Sequence, residues 1–425
     1  MATLTSSPVV ITVTAPLPRY VDNLVAFQSR ELVGAYGPSG SFGKARPLDS
    51  ALQGWATSKG GAYNQFVTAL ICRDYCGGCE DRTNKRIHWG GDGGHASTAC
   101  NGAFFYDVRD DGTGRPKGAY GVPGTFSALS DVPSAPVPSI WPDGRPNAAH
   151  TYLARGYCPT NNHHYKFGHL SAYVNGGSSA GSSPAWCNPD SSSHWPTNNW
   201  NTFERPGPFS SGGEGDWVMV SPDGTKALYG ILKDGNQPAR FYDMVTATWG
   251  KHAKVAINPQ WNGKHQTYVW DSVRNRALLI TAGIGGQMDV DWERETLSNQ
   301  IKITRTGDLL GLDRNSQSAW FDPDRFYLGK AGNTTGVIWC YGGRNPQSNM
   351  NDITEFDPVS YTAVRYRLSG QIPQQAPGGG DYRGLMNRHV FVAEWRTVFF
   401  VTDMERSAYA VRLPGPTEDT SMLAM

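Results

Sequence analysis

Residues 216–231 read Asp-Trp-Val-Met-Val-Ser-Pro-Asp-Gly-Thr-Lys-Ala-Leu-Tyr-Gly-Ile, two short apolar runs separated by a polar turn. Val, Ile, Tyr and Trp favour extended backbone, and the Asp223–Gly224 pair is typical of the tight turn in a β-hairpin. Further units share this pattern, and they begin near residues 64, 150, 267, 319 and 389. The chain is therefore predicted to be built from repeated hairpins.

A glycine, usually one of a pair, and an aromatic strand that ends in Asp complete several of these units. The glycines and the strands that follow them are Gly90–Gly91 with Ala103–Asp107, Gly230 with Ala239–Asp243, and Gly342–Gly343 with Ile353–Asp357. Glycine permits tight turns and close backbone approach. Together with Trp249, which follows one of the Asp strands, this pattern resembles the kelch-type β-propeller family, whose units span about 50 residues.

This resemblance extends over roughly residues 60–413 and implies an all-β, kelch-like propeller. Six blades are predicted, with first strands near Phe66, Tyr152, Val218, Tyr268, Trp320 and Val390. The alternating segment Pro8–Thr14 is expected to complete the last blade and close the ring, which removes two sheet edges. A seventh blade is the alternative if residues 24–36 form their own unit, and a two-layer β-sandwich is the alternative fold.

The propeller is predicted to occupy residues 1–425 as one domain. Residues 1–36 supply the closing strand or strands, and residues 414–425 form a short C-terminal tail. Residues 111–149 and 171–215 are rich in Gly, Pro, Ser and Asn and are interpreted as two long loop insertions beside the second blade. Long loops within a compact fold are usually functional or flexible, so these two predict the interaction surface.

The amino-acid composition disfavours several classes of protein and of function. The chain has 38 Lys and Arg against 37 Asp and Glu, so no overall field attracts nucleic acid or a membrane surface. Charged residues make up only 18%, which disfavours a coiled coil, and 12% aromatic residues disfavour disorder. No apolar stretch approaches the roughly 20 residues of a membrane-spanning helix.

The N-terminal residues lack the basic and apolar regions of a secretory signal. We therefore expect synthesis in a cytoplasm without export, and a virion is a final location consistent with that expectation.

The strongest chemical motif is a cysteine cluster followed by histidines. Its members are Cys72, Cys76, Cys79, His88, His95 and Cys100. Closely spaced thiolates and imidazoles are the usual ligands of structural zinc, so this set predicts a possible Zn²⁺ site. A local disulfide and unligated thiols are the alternatives, and Cys158 could pair with Cys187 across the long loop.

Histidines suggest an alternative function. On a strand, His163 and Tyr165 would share one face while His164 faces the other, which disfavours one ion bound by both histidines. The known enzyme built on this kind of propeller is a copper radical oxidase. A resemblance to that enzyme would require histidine ligands near the propeller axis. The histidines at or just before first strands are His150, His265 and His389. No Tyr-His pair occurs in the chain.

A non-enzymatic structural or protein-interaction propeller is the function that these observations favour. The expected partners are other proteins of a larger assembly, such as a phage virion or tail, or further copies of the chain. A metal-dependent enzyme of the copper oxidase kind is one alternative. The other is a carbohydrate-binding propeller that would use the aromatic residues Tyr173, Trp195 and Trp200.

Overall fold

Antiparallel strands dominate the computed structural model of the chain. The structure describes residues 17–32, 77–90, 103–122, 153–167, 185–188, 190, 201–202, 217–230, 237–257, 267–281, 284–312, 317–330, 332–342, 351–373, 385–402 and 408–425. Within these ranges the helical elements are short 3-10 turns at Arg19–Val21, Leu309–Gly311, Tyr327–Gly329, Ala393–Trp395 and Ser421–Leu423. None of these turns is long or apolar enough to cross a bilayer.

Six sheets, numbered here as blades in chain order, form the propeller. Blade 1 contains β2 (Gly78–Asp81), β3 (Arg86–Gly90), β4 (Ala103–Asp110) and β5 (Pro116–Val122). Blade 2 contains β6 (Arg155–Cys158), β7 (His163–Lys166), β8 (Ala185–Cys187) and β9 (Asn201–Thr202). Blade 3 contains β10 (Trp217–Val220), β11 (Lys226–Gly230), β12 (Gln237–Asp243) and β13 (Thr248–Val255). Blade 4 contains β14 (Thr267–Asp271), β15 (Arg276–Thr281), β16 (Ile284–Asp291) and β17 (Thr296–Ile303).

Blades 5 and 6 each carry a fifth, very short strand on the outer edge. Blade 5 contains β18 (Thr306–Gly307), β19 (Ser318–Phe326), β20 (Thr335–Tyr341), β21 (Asp352–Asp357) and β22 (Thr362–Arg367). Blade 6 contains β23 (Ser369–Gly370), β24 (His389–Val392), β25 (Thr397–Val401), β26 (Ala408–Arg412) and the N-terminal strand β1 (Gln28–Glu31). The extra strands β18 and β23 pair in parallel with the edge strands β22 and β1.

The N-terminal strand β1 closes the ring. It pairs antiparallel with β26, where Ser29 lies opposite Val411, so the first and last parts of the described chain share blade 6. The preceding residue Phe27 stacks on Tyr366 of blade 5 at a ring distance of 4.4 Å. Closure by an N-terminal strand and the count of six blades are thus confirmed. The closing strand is β1, whereas residues 8–14, predicted for this role, lie outside the described residues.

The predicted first strands of blades 3 to 6 match β10, β14, β19 and β24. Blade 2 begins at Arg155, a few residues after the predicted start, because Leu153 forms only an isolated bridge to Trp217. The innermost strand of blade 1 is Gly78–Asp81, and the predicted strand near Phe66 lies outside the described residues. The strand β2 was not predicted because it contains the sequence Cys-Glu-Asp, and polar and acidic residues are depleted in strands.

Apolar side chains fill five of the six contacts between neighbouring blades. Separate hydrophobic clusters join blades 2 and 3, 3 and 4, 4 and 5, 5 and 6, and 6 and 1. The cluster between blades 3 and 4, for example, packs Trp217 and Phe241 against Tyr268 and Leu279. Within the described ranges, no such cluster joins blades 1 and 2. That contact is polar and borders the candidate site described below.

The two ends of the propeller differ in how strands are connected. At one end, here called the turn end, the first strand joins the second and the third joins the fourth, mostly through short turns; residues 188–200, between β8 and β9, are a longer connection at this end. Aspartates cap these turns: Asp81 accepts from Asn84 N at 2.8 Å, and Asp243 accepts from Val245 N at 2.9 Å. Such Asx turns rigidify a loop by satisfying its backbone donors.

All other connections leave from the opposite end, here called the connection end. Antiparallel order places the second-to-third-strand connections and the blade-to-blade connections together there. Residues 91–102 separate β3 from β4, and residues 123–154 separate β5 from β6. The segments 111–149 and 171–215, predicted as two continuous loops, are instead interrupted by β5, β8 and β9, so each contributes to both ends.

Glycines inside blade 4 allow close packing between blades. A Cβ atom on Gly286 would lie 2.3 Å from Cγ2 of Ile257, a buried residue of blade 3. We expect Gly286→Ala to lower the free energy of unfolding by about 1–3 kcal/mol, because Ile257 must move. Gly415→Ala is the matched control, since its Cβ would meet nothing closer than 3.7 Å. Equal unfolding midpoints for the two variants in denaturant titrations would contradict this packing.

Candidate binding site in the central channel

The innermost strands of the six blades surround a central channel. It contains a cavity of about 380 Å³, whose lining includes Glu80, Arg82, Tyr268, Trp270, Trp320 and His389. Cavities of about 300–1,000 Å³ that combine aromatic walls with a few polar groups are typical of small-molecule sites. The channel is therefore the candidate functional site of the described chain.

An ion pair lies in the wall formed by blade 1. The guanidinium of Arg82 contacts Oε1 of Glu80 at 2.7 Å, and the two side chains keep 46% and 26% of their surface exposed. Burial opposes ionisation of Glu80, but Arg82 and His389 outweigh it and hold the pKa of this carboxyl below its ordinary value. Among the described residues, the one hydrogen bond that Oε2 accepts is a long bond from Phe391 N at 3.4 Å. Glu80 is thus ionised at neutral pH and retains acceptor capacity.

His389 stands beside this pair and is almost completely buried. Burial lowers the pKa of its imidazole to about 4, against the attraction of Glu80, so the ring is neutral at pH 7. Neither ring nitrogen has a hydrogen-bond partner among the described residues, and Nε2 lies 3.9 Å from Oε2 of Glu80. The Trp320 ring packs 5.0 Å from the imidazole. A buried polar group without a partner is costly and is uncommon in native proteins.

The backbone before His389 is strained. Met386 and Asn387 are consecutive non-glycine residues with left-handed φ values of 43° and 60°. Their surroundings hold them there: Asn387 Oδ1 accepts from Ala319 N at 3.2 Å, and Met386 O accepts from Gly78 N at 2.8 Å. Strain of this kind costs of order 1–3 kcal/mol per residue and is concentrated at functional sites.

The contact between blades 1 and 2 extends the channel wall with buried polar groups. His88 stacks on Tyr157 with ring centroids 5.1 Å apart and lies 5.3 Å from the ring of His164. His88 Nε2 is 3.4 Å from Asp81 Oδ2, and His164 Nε2 is 3.3 Å from Arg155 Nη1. Burial, reinforced by Arg155, His88 and Lys166, holds the pKa of His164 well below its ordinary value. His164 is therefore neutral and accepts from Arg155.

Two buried thiols lie on the same polar surfaces. Cys79 faces His88 across β2 and β3, and Cys187 faces His164 across β7 and β8. Burial raises the pKa of Cys79 far above its ordinary value and that of Cys187 to about 12, although Arg155 opposes both shifts. Both thiols are therefore protonated at neutral pH. A protonated thiol is a weak nucleophile and a weak metal ligand.

The pairing of Cys158 with Cys187 that the sequence left open is not formed. Cys158 pairs with His163 and Cys187 pairs with His164, so the two thiols point to opposite faces of blade 2, and both are free. The same register confirms that His163 and His164 face opposite ways. His163 stacks on Trp186 with ring centroids 3.7 Å apart.

The predicted zinc site is only partly described. The structure brings Cys79 and His88 together, and the described residues contain no group of three metal-ligating side chains placed to hold an ion. The remaining predicted site residues lie outside the described residues; they are Cys72, Cys76, His95, Cys100, Tyr173, Trp195 and Trp200. The zinc set and the aromatic carbohydrate set therefore remain predictions.

Of the histidines considered for a copper site, His389 does lie on the channel, while His150 and His265 fall outside the described residues. Sequence reasoning missed Glu80 and Arg82. Their only signal is the position of Glu-Asp-Arg at residues 80–82, at the start of a turn that contains Thr83 and Asn84 and marks the end of a first strand.

No family model and no curated protein matches the chain. Several solved structures resemble it. A luciferin-regenerating enzyme is 8% identical with a TM-score of 0.44, covering 83% of this chain and 95% of that one. A fungal alcohol oxidase in complex with copper is 11% identical with a TM-score of 0.43, covering 81% and 75%. The Dos1 propeller is 9% identical with a TM-score of 0.33, covering 78% and 67%. At these identities and scores, none of these likenesses bears on what the chain binds or catalyses.

Proposed function

We propose that this chain is a non-enzymatic interaction propeller that docks onto other proteins of a larger assembly through its connection end. A phage virion or tail is the assembly that we propose. The near-neutral balance of 38 basic and 37 acidic residues and the Gly-rich composition support a chain that is packed against other proteins in an assembly. Propellers host unrelated functions, so the proposal rests on the distribution of chain between the two ends and not on the fold.

The observation that carries this proposal is the contrast between the two ends. Apart from residues 188–200, the turn end is built largely from short turns, such as 244–247 and 292–295, whose backbone donors are satisfied by Asp243 and Asp291. The connection end holds the ends of β5 and β6, between which residues 123–154 run. Binding residues are concentrated on connections that a rigid scaffold positions.

The scaffold itself is suited to this role. Apolar packing joins five of the six pairs of neighbouring blades, and β1 ties the N-terminal part of the described chain to blade 6, the last blade. Ring closure leaves few free sheet edges, so contacts with partners depend on the two ends.

A shortening experiment tests the proposal. We expect replacement of residues 124–150 by a short Gly-Ser linker to abolish sedimentation of the chain with high-mass assemblies in its source cells, with little change in thermal unfolding. Val245→Ser combined with Val273→Ser is the control, because both side chains are exposed at the turn end. The proposal fails if the shortened chain still assembles normally, or if the control variant alone loses assembly.

A further inference from the structure

We infer that the groove on blade 5 that holds the C-terminal tail, residues 414–425, also binds the tail of a second copy of the chain, so that copies are joined by exchange of their tails. This groove lies at the turn end and outer edge of blade 5. The inference is therefore independent of the docking role proposed for the connection end.

Buried hydrogen-bonding groups form the floor of the groove, and the tail completes them. Arg325 is completely buried and donates to the carbonyl oxygens of Gly415 and Glu418 at 3.0 and 2.7 Å. It also donates to the hydroxyl of Thr420 at 2.9 Å, which in turn donates to the hydroxyl of Tyr366 at 3.0 Å. Leaving such groups buried and unpaired is costly, so the groove favours an occupant that supplies the same acceptors.

Main-chain contacts fix the path of the tail across blade 5. Phe326 N donates to Pro416 O at 2.9 Å, and Met425 N donates to Arg365 O at 2.9 Å on the edge of β22. Gly329 lies directly beside the tail, where a Cβ atom would collide with the main chain of the tail. Main-chain hydrogen bonds of this kind supply the affinity when a peptide adds to a sheet edge. The tail of another copy offers the identical set.

Apolar packing contributes little to the hold of the tail on its own blade. The side chains of Met422, Leu423 and Met425 are 92%, 51% and 54% exposed. Segments with few buried apolar contacts open locally at a low free energy, without unfolding of the remaining domain. The tail is therefore expected to leave and re-enter the groove while the propeller stays folded.

The hinge between β26 and the tail favours exchange. It contains Pro414 and Pro416 on either side of Gly415. Proline disfavours helical backbone in the residue before it and fixes its own φ, so this hinge is short and extended. Exchange of an identical element between copies is a low-cost route to association, because it reproduces every contact of the closed chain.

Zero-length cross-linking of isotope-mixed protein tests this inference. Lys330 follows Gly329, whose Cβ would lie 2.8 Å from the amide nitrogen of Asp419, and the charge of Lys330 acts on the Asp419 carboxylate. Both side chains are exposed, so a carbodiimide can join them. Natural-abundance and 15N-labelled full chains are mixed, incubated and cross-linked, and the cross-linked peptides are sorted by mass. Cross-links between Lys226 and Glu295, an ion pair at 3.2 Å between blades 3 and 4, are the internal control.

We expect Lys330–Asp419 cross-links that join a light to a heavy chain, in a proportion that rises with protein concentration. The control cross-links should stay within single chains at every concentration. Lys330–Asp419 cross-links that remain within single chains at every concentration would overturn the inference.

A blocked groove gives the exchange a direction. Gly329→Ala places a methyl group against the tail at a φ of +68°, whereas the control Gly332→Ala has a similar left-handed φ of +91° and open space around it. In a mixture of light parent and heavy Gly329→Ala chains, cross-links from heavy Asp419 to light Lys330 should persist. Those from light Asp419 to heavy Lys330 should fall by at least about fivefold, because the methyl group displaces the tail.

The same mixture made with heavy Gly332→Ala should show both directions equally. Equal yields in both directions with Gly329→Ala, or the same asymmetry with Gly332→Ala, would contradict binding of the exchanged tail in this groove.

Discussion

Replacing Arg325 with methionine is expected to lower the free energy of unfolding by about 3–5 kcal/mol, the largest single-residue effect that we expect in this chain. Arg325 and Glu355 are completely buried and form an ion pair at 3.0 Å. Tyr366 also donates to Glu355, at 2.6 Å. Burial raises the pKa of Glu355 even with Arg325 beside it. Without the guanidinium, the carboxylate would remain buried and uncompensated.

The same guanidinium holds the C-terminal tail. It donates to the carbonyl oxygens of Gly415 and Glu418 at 3.0 and 2.7 Å and to the hydroxyl of Thr420 at 2.9 Å. We therefore expect Arg325→Met to speed proteolysis of residues 414–425 as well as to destabilise the propeller. This short C-terminal tail packs onto blade 5, where Ala424 bridges to Tyr366.

Denaturant titration measures the first effect and timed proteolysis measures the second. Arg294→Ala is the control, because Arg294 also contacts a carboxylate, Asp291 at 2.9 Å, but remains 80% exposed. An exposed pair of this kind contributes about 0–1 kcal/mol. A similar loss of stability in both variants would show that the Arg325 pair contributes no more than a surface pair.

Acidification is expected to destabilise the folded chain between about pH 6.5 and pH 4, before most carboxylates titrate. Burial lowers the pKa of His389 from 6.5 to about 4. In this window the unfolded state binds a proton at this histidine and the folded state does not, so stability falls as pH falls. The difference corresponds to about 3 kcal/mol for His389. His164 contributes in the same direction, because its pKa is also lowered by burial.

Unfolding free energies measured across this pH range test the expectation. The His389→Gln variant should show a flatter pH dependence than the parent, since one group that must stay neutral has been removed. The exposed control His252→Ala should keep the parental slope. An unchanged slope in His389→Gln, with the variant folded, would show that this imidazole is not held neutral by the fold.

Short-range sequence patterns were sufficient to predict many of the strands and turns of the propeller. Hairpins such as β10–β11 combine apolar strands with an Asp-capped turn, and these signals lie within a few residues of one another. The closing strand β1 has no such signal, since Gln28–Glu31 is polar and short. Its pairing with β26 joins residues far apart in sequence, and this long-range contact decides its conformation.

The candidate site was less accessible to sequence reasoning. The sequence predicts Cys79 and His88 as members of one candidate metal-binding set. Their neighbours His164 and Arg155, however, come from another blade. Which polar faces meet depends on blade register, because a shift of one residue turns every side chain to the opposite face. The channel groups Glu80 and His389 come from opposite ends of the described chain and meet only when the ring closes.

Solvent footprinting of the chain, free and within its native assembly, tests the interaction role most directly. We expect protection in the assembly to be concentrated in the connection-end peptides 91–102, 123–152 and 203–216, with the turn-end peptides 244–247 and 292–295 as reactive as in the free chain. Protection confined to the turn-end peptides, or identical patterns for the free and assembled chain, would contradict the proposal that this propeller docks through its connection end.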